Sequence, residues 1–460
     1  MDLLHCAMYL LLILLLGYVT ASLLLATARW HWAELIGISM AGGFGLLGII
    51  LFDLSLLGAR PSHVVLIPIA VVSGALLICL RHRMSRPSWP RSVVWRFNPR
   101  MILAAGAFVL ICAAIANAAA ESLTPGLADI DAYAIWMLKA KIAATEALRP
   151  IPHFLLDPSL SYSHQDYPLG MPMVMAAMYS AIGDVDEQLG KIVLLPVYLA
   201  LVLVIYAAVA RRLNRWTAIV ISAVFAAAPV VVQHAGIAEA ELTFVLMHAC
   251  CLVLLLRWME NGGWRTLTAS AAFAAFAAFT KNEGLALLPV VGLIALGPAI
   301  KRQQIREWML AVAVALLLIG PWIIYRRHLP HTHEDYGTKL TSIATIARDL
   351  PRFWQVLPRY LGYFWEFNSA GVIWPLLIVA AGIGWRAFRQ LPVVLLWTLL
   401  LAHLGLYLAT FVVTPWDLNT LIPMVSPKLL MHASPAAVLL IALHLSNARK
   451  SVARDWERFI

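Results

Sequence analysis

Ile192-Val193-Leu194-Leu195-Pro196-Val197-Tyr198-Leu199-Ala200-Leu201-Val202-Leu203-Val204-Ile205-Tyr206-Ala207-Ala208-Val209-Ala210 runs directly into Arg211-Arg212-Leu213-Asn214-Arg215. The first part carries no charge and has the length a helix needs to cross a bilayer, about 20 apolar residues. The second part is basic, as the cytoplasmic ends of spans are. If 192–210 is one span ending inside, the acidic segment Asp184-Val185-Asp186-Glu187 lies outside. The apolar stretch 168–182 then begins and ends outside. It is short and carries Pro168 and Pro172, so it reads as a helix lying at, or dipping into, the outer surface.

The same pattern fills the chain. Of 460 residues, 62% are hydrophobic and 13% charged, and the mean hydropathy is +0.82. Soluble domains run near 45–50% apolar and about 25% charged. A soluble globular enzyme is therefore excluded, and so is disorder, which needs low hydrophobicity and high charge. Spans are read at 3–28, 35–57, 62–80, 101–120, 192–210, 216–234, 240–257, 266–280, 285–300, 307–325, 371–388, 391–413 and 429–446. The expected fold is an all-α polytopic membrane protein, a helical bundle of about 13 transmembrane helices with juxtamembrane helices on its outer face. Ala26-Thr27-Ala28 resembles a cleavage site, but the run before it is long and no basic residue precedes it, so 3–28 reads as a retained span.

Charge fixes the orientation. One set of short loops, with the C-terminal tail, holds 21 of the 34 Lys and Arg but only five of the 24 acids. That side is cytoplasmic. The asymmetry accounts for the net charge of +10, so no nucleic-acid partner is needed. The long loops 121–190, 326–370 and 414–428 face outward. The domains expected are a three-span unit (1–80), a basic cytoplasmic linker (81–100), a core with the outer loop 121–190 (101–325), an outer loop with an amphipathic helix (326–370), C-terminal spans (371–446) and a cytoplasmic tail (447–460). Cys6, Cys79, Cys112, Cys250 and Cys251 all sit in apolar stretches without zinc-ligand spacing and read as packing residues.

Polar clusters among so many apolar residues mark function. Four fall on the outer side. The first is Asp129-Ile130-Asp131-Ala132-Tyr133-Ala134-Ile135-Trp136-Met137-Leu138-Lys139, after the turn Thr124-Pro125-Gly126. Asp129 stands where an N-cap belongs. Tyr133, Trp136 and Ala140 fall near one helical face. Two acids two apart cannot share a helix face, so at least one must point elsewhere. The second is His164-Gln165-Asp166-Tyr167-Pro168-Leu169-Gly170, with Pro168 suited to a first helical position. The third is Glu239-Ala240-Glu241, between two spans. The fourth is Thr280-Lys281-Asn282-Glu283-Gly284, a tight hairpin in which Lys281 and Glu283 can pair. Taken one at a time, each also has a plain reading as a cap, a helix start, a solvated turn or a surface pair. His331-Thr332-His333-Glu334-Asp335 has metal-ligand residue types but no rigid scaffold, so no metal site is assigned. The aromatic run Phe353-Trp354, Tyr360, Tyr363-Phe364-Trp365 reads as an interface belt. No P-loop or HExxH occurs.

In order and topology, these four clusters resemble the GT-C integral-membrane glycosyltransferases. The likeness is to the branch with protein O-mannosyltransferases, the lipid A aminoarabinose transferase and the rhizobial lipopolysaccharide-core transferases. Residues 101–300 carry it; 301–446 share only span count and layout. The resemblance implies a GT-C-like bundle in a bacterial inner membrane, with its active site facing the periplasm or exterior. It implies a polyprenyl-phosphate sugar as donor, a glycan, lipid or protein acceptor, contact with membrane lipid, and no cofactor or resident metal. Asp129 takes the place of the family's general base, and Asp131 or Glu239 would orient base or sugar. Tyr167-Pro168-Leu169 takes the place of the motif opening a second juxtamembrane helix, Glu239 or Glu241 that of a later acid, and Thr280-Lys281 that of a hairpin motif. Tyr133, Lys139, His164, Tyr167, Glu241, Lys281 and Glu283 complete the expected substrate contacts. Two departures stand out. The aminoarabinose branch has Lys where this chain has Tyr167, so the phosphate contact falls to Lys281, His164 or Lys139, and Glu replaces the usual Asp in the third motif. The other reading of the chain is a transporter or flippase of lipid-linked saccharides, which Asp53 inside the second span favours.

Overall fold

The computed structural model describes residues 2–25, 30–83, 87–88, 100–124, 129–332, 334 and 336–459. Ala26-Thr27-Ala28, most of the linker 81–100, the turn residues Pro125 and Gly126, and His333 and Asp335 lie outside the described residues. Among the described residues, the only strand pairing is a two-residue parallel one of Trp30 with Pro87 and His31 with Ser88, and the regular structure is otherwise helical.

Among the described residues, ten helices are long and apolar enough to cross a membrane. The chain forms α1 (Asp2–Leu24), α2 (Trp32–Leu56), α3 (His63–Leu80), α4 (Arg100–Leu123), α5 (Leu138–Thr145), α6 (Gly170–Ile182), α7 (Leu194–Ala210), α8 (Arg215–Ala226), α9 (Glu241–Asn261), α10 (Trp264–Thr280), α11 (Asn282–Lys301), α12 (Ile305–Arg326), α13 (Phe353–Gly362), α14 (Ile373–Ile383), α15 (Leu391–Val413) and α16 (Leu418–Phe459).

Three of the thirteen expected spans form helices of fewer than 18 residues that are not among the ten long enough to cross. The stretch 216–234 breaks into α8 and a separate Pro229–His234 turn of helix. Pro229 lacks an N–H and its ring clashes with the carbonyl four residues back, so the helix restarts there. The stretch 266–280 forms α10, with 17 residues, and 371–388 shrinks to the 11 residues of α14, followed by a tight 3-10 turn over Trp385–Arg389. In contrast, the loop read at 414–428 is only four residues long. Asp417 caps α16, its carboxylate accepting the Thr420 N–H at 3.0 Å, and the helix continues through Pro423, Pro427 and Pro435. The expected amphipathic helix is α13, with Val356 and Tyr360 buried and Trp354 and Leu361 exposed.

The residues fall into two compact units. One contains Met1–Arg96, Ile115–Val204 and Gln233–Thr332; the other contains Phe97–Ala114, Ile205–Val232 and His333–Ile460. In the first, α6 is packed by α1, α2, α5 and α10. Met171 to Tyr179 are buried throughout, so α6 is an interior helix and not one lying on a surface. Its 13 residues reach about 20 Å, too short for a bilayer core of about 30 Å. Arg257 on α9 meets the buried Glu34 on α2 at 3.5 Å and stacks over Trp30, which ties the N-terminal helices to the core segments of the same unit. Asp53 lies inside α2, in its last turn. In the second unit, a buried chain His403–Tyr407–His432 links α15 to α16.

Candidate active site

All four polar clusters belong to the first unit. The Asp129 carboxylate accepts the Asp131 N–H at 2.8 Å, so Asp129 caps the helix that follows, as its spacing predicts. The expected divergence of the two acids fails for the same reason. Asp129 stands outside the helix and folds back over its first turn. Asp129, Asp131 and Glu239 therefore each place a carboxylate oxygen within 4.8 Å of the other two. Such a trio has the donor set for a proton or for a hard cation. The helix next widens into a π turn over Ala132–Met137, a winding that recurs at functional sites. That wider turn splits the face read from a 3.6-residue period. Trp136 and Ala140 are buried, whereas Tyr133 is 48% exposed and stands apart from them.

Glu239 and Glu241 are both buried, which excludes a solvated hairpin. Glu239 sits in a tight turn closed by its own N–H to the Ile237 carbonyl at 2.7 Å, and His234 Nε2 approaches its carboxylate to 3.6 Å. Glu241 is the first residue of α9, where a negative charge meets the positive end of the helix. Lys281 is the single extended residue joining α10 to α11. It does not simply pair with Glu283, at 3.2 Å; its Nζ is also in short contact with Glu241.

A third group surrounds Lys139 on α5. Its Nζ donates to the His164 carbonyl at 2.5 Å and lies 5.7 and 5.4 Å from the ring centres of Trp136 and Tyr167. His164 adopts a left-handed conformation, and its ring packs on Tyr167 at 4.5 Å. Burial pushes the Lys139 ammonium down to about 7, against the pull of the Asp166 carboxylate. Pro168 does not open the helix. α6 begins at Gly170 and carries Pro172 in its first turn, where an N–H has no intrahelical partner to lose.

Two residues of this group, Asp166 of the second cluster and Arg326, were given no role from the sequence. Buried Asp166 accepts from Arg326 at 3.0 Å and lies 3.9 Å from His331. Its second oxygen has no hydrogen-bond partner among the described residues. Arg326 ends α12 and starts the run Arg326-Arg327-His328. In the orientation expected from the loop charges, arginines at this end of α12 run against the usual bias, and that is the signal which points to them. The third group touches the fourth cluster through backbone: a Cβ on Gly170 would stand 2.5 Å from the carbonyl of Phe279, two residues before Lys281.

No curated protein and no solved structure matches the chain. Residues 166–325, about a third of the chain, match the model of the dolichyl-phosphate-mannose-protein mannosyltransferase family, which belongs to the GT-C superfamily of membrane glycosyltransferases.

Proposed function

We propose that the chain moves a sugar from a polyprenyl-phosphate donor to a hydroxyl of a cell-envelope acceptor, at the periplasmic face of a bacterial inner membrane. The observation that carries this reading is the convergence of Asp129, Asp131 and Glu239 in the unit that also holds Lys139, Lys281 and Arg326. Asp129 takes the proton of the acceptor hydroxyl as its oxygen attacks C1 of the sugar. The bond from C1 to the phosphate oxygen breaks, and the electron pair leaves on polyprenyl phosphate. A single displacement inverts the anomeric configuration. Cations aimed at the departing phosphate stabilise it, and Lys139 and Arg326 are the groups proposed for that contact. Asp131 and Glu239 orient the base or the sugar. Asp53, the residue that favours the transporter reading, lies in the last turn of α2.

The test is a transfer assay on purified protein with a panel of polyprenyl-phosphate sugars and envelope acceptors, read as release of free polyprenyl phosphate. Consumption of no donor with any acceptor would sink the reading. The scheme needs no resident metal, so transfer is expected to persist in EDTA. Loss in EDTA that a divalent ion restores would assign the carboxylate trio to a cation instead.

The Lys139 contact has its own pH signature. Its ammonium is required and titrates at about 7, so kcat/KM is expected to fall as pH rises through about 7. Stability moves the other way. An unfolded lysine titrates near 10.4, so between about 7 and 10.4 the unfolded chain binds more protons and stability rises with pH. Alkaline loss of transfer with an unchanged or higher melting temperature fits the contact; parallel loss of both does not.

A further inference from the structure

We propose that α2 is a positioning element of the active site, with Gly48 and Phe52 fixing the start of α6 and the helix ends that carry Lys281 and Arg326. The inference deepens the transferase reading and rests on it for its kinetic consequence. α2 contributes no motif of its own to the four clusters, so only its packing points this way.

Gly48, Phe52 and Ser55 follow one another at helical spacing and share a face of α2. A Cβ on Gly48 would stand 2.9 Å from the Gly170 carbonyl oxygen, so α2 meets the first residue of α6 backbone to backbone. Gly170 makes the same kind of approach to Phe279 on its other side. The backbone of Gly170 is thus approached closely by both α2 and the end of α10. One turn on, the buried Phe52 ring packs edge-on against Phe279 at 5.2 Å, Trp322 at 6.0 Å and Tyr325 at 5.6 Å. Phe279 lies two residues before Lys281, and Tyr325 directly precedes Arg326. A single ring therefore braces both cation-bearing helix ends. Ser55 accepts the Leu148 N–H at 2.9 Å, and the Tyr325 hydroxyl donates to the Leu148 carbonyl at 3.4 Å. Tyr9 of α1 donates to the Val174 carbonyl inside α6 at 2.7 Å. Residues in the N-terminal helices thus hold the segment 148–174 from several sides.

The experiment compares full-length Phe52→Leu with Phe44→Leu in detergent micelles. Both residues are buried on α2, and leucine keeps each site apolar. Only Phe52 touches the three rings. Hydrogen exchange is expected to quicken at 166–173 and 279–284 in Phe52→Leu and to stay unchanged there in Phe44→Leu. Phe52→Leu is also expected to raise the donor KM and lower kcat/KM about tenfold, as a small misplacement of binding groups does. A merely structural role would lower the melting temperature of both variants alike and leave the specific activity of folded protein intact. Exchange in Phe52→Leu that is unchanged, or raised no more than in Phe44→Leu, overturns the proposal, as does unchanged donor KM and kcat/KM. If Phe52→Leu does not fold, Gly48→Ala takes its place, because its methyl must displace the Gly170 carbonyl; the same outcomes apply. The exchange arm needs no donor. A wild type that consumes no donor brings down the transferase reading, while exchange still decides the positioning.

Discussion

Asp129→Asn is expected to lower transfer by about 10²- to 10⁴-fold, the range a positioned general base contributes, while the protein folds as before. The two halves of that statement come from different atoms. The carboxylate accepts the Asp131 N–H and caps the following helix. Asparagine caps about as well as aspartate, so the first turn and its π winding are retained. Asparagine has no proton-accepting oxygen of comparable basicity, so only the chemical step is lost. The measurement is release of polyprenyl phosphate by wild type and variant, with melting temperatures alongside. Asp131→Asn and Glu239→Gln belong in the same series, because all three carboxylates crowd together. If Asp131→Asn proves the most damaging, the base is Asp131. Equal rates for wild type and Asp129→Asn would remove Asp129 from the chemistry.

The series matters because the sequence exposes composition of the site more readily than its geometry. Helices were legible wherever the apolar run was long and uninterrupted, as in α7 and α15. They were misread where one residue decides the outcome. Pro229 cuts a span in two, and Asp417 starts a helix inside a stretch whose turn-forming residues suggest a loop. The acids Asp129, Asp131 and Glu239 stood out because charge is rare here, but their meeting depends on a cap that lies outside a helix, which spacing rules for helices do not describe. The pairing of Asp166 with Arg326 spans 160 positions, and no local pattern carries such a contact. The bracing of both helix ends by Phe52 is equally invisible, since an apolar ring in an apolar span has no sequence signature.

Lys281→Met is expected to destabilise the fold by about 3–5 kcal/mol, the cost of breaking a buried ion pair and stranding one partner. Lys281 bridges two carboxylates that differ in their access to water. The Glu283 side chain is 23% exposed and can be hydrated, whereas that of Glu241 is 6% exposed. The loss therefore falls on Glu241. Glu283→Gln should cost little, about 0–1 kcal/mol, as partly exposed pairs do. The double variant Lys281→Met with Glu241→Gln should recover most of the stability, because no charge is then left buried without its counter-ion. Denaturation of the wild type, Lys281→Met, Glu241→Gln and the double variant in one detergent gives the coupling directly, and additive losses in the double variant would show that the pair is not the source. The double variant also separates two roles. If it folds and still transfers at the wild-type rate, Lys281 is a brace between α9 and the α10–α11 hairpin. If it folds and its donor KM rises, the ammonium contacts the donor phosphate as well, and the carboxylates hold it in place until the donor arrives.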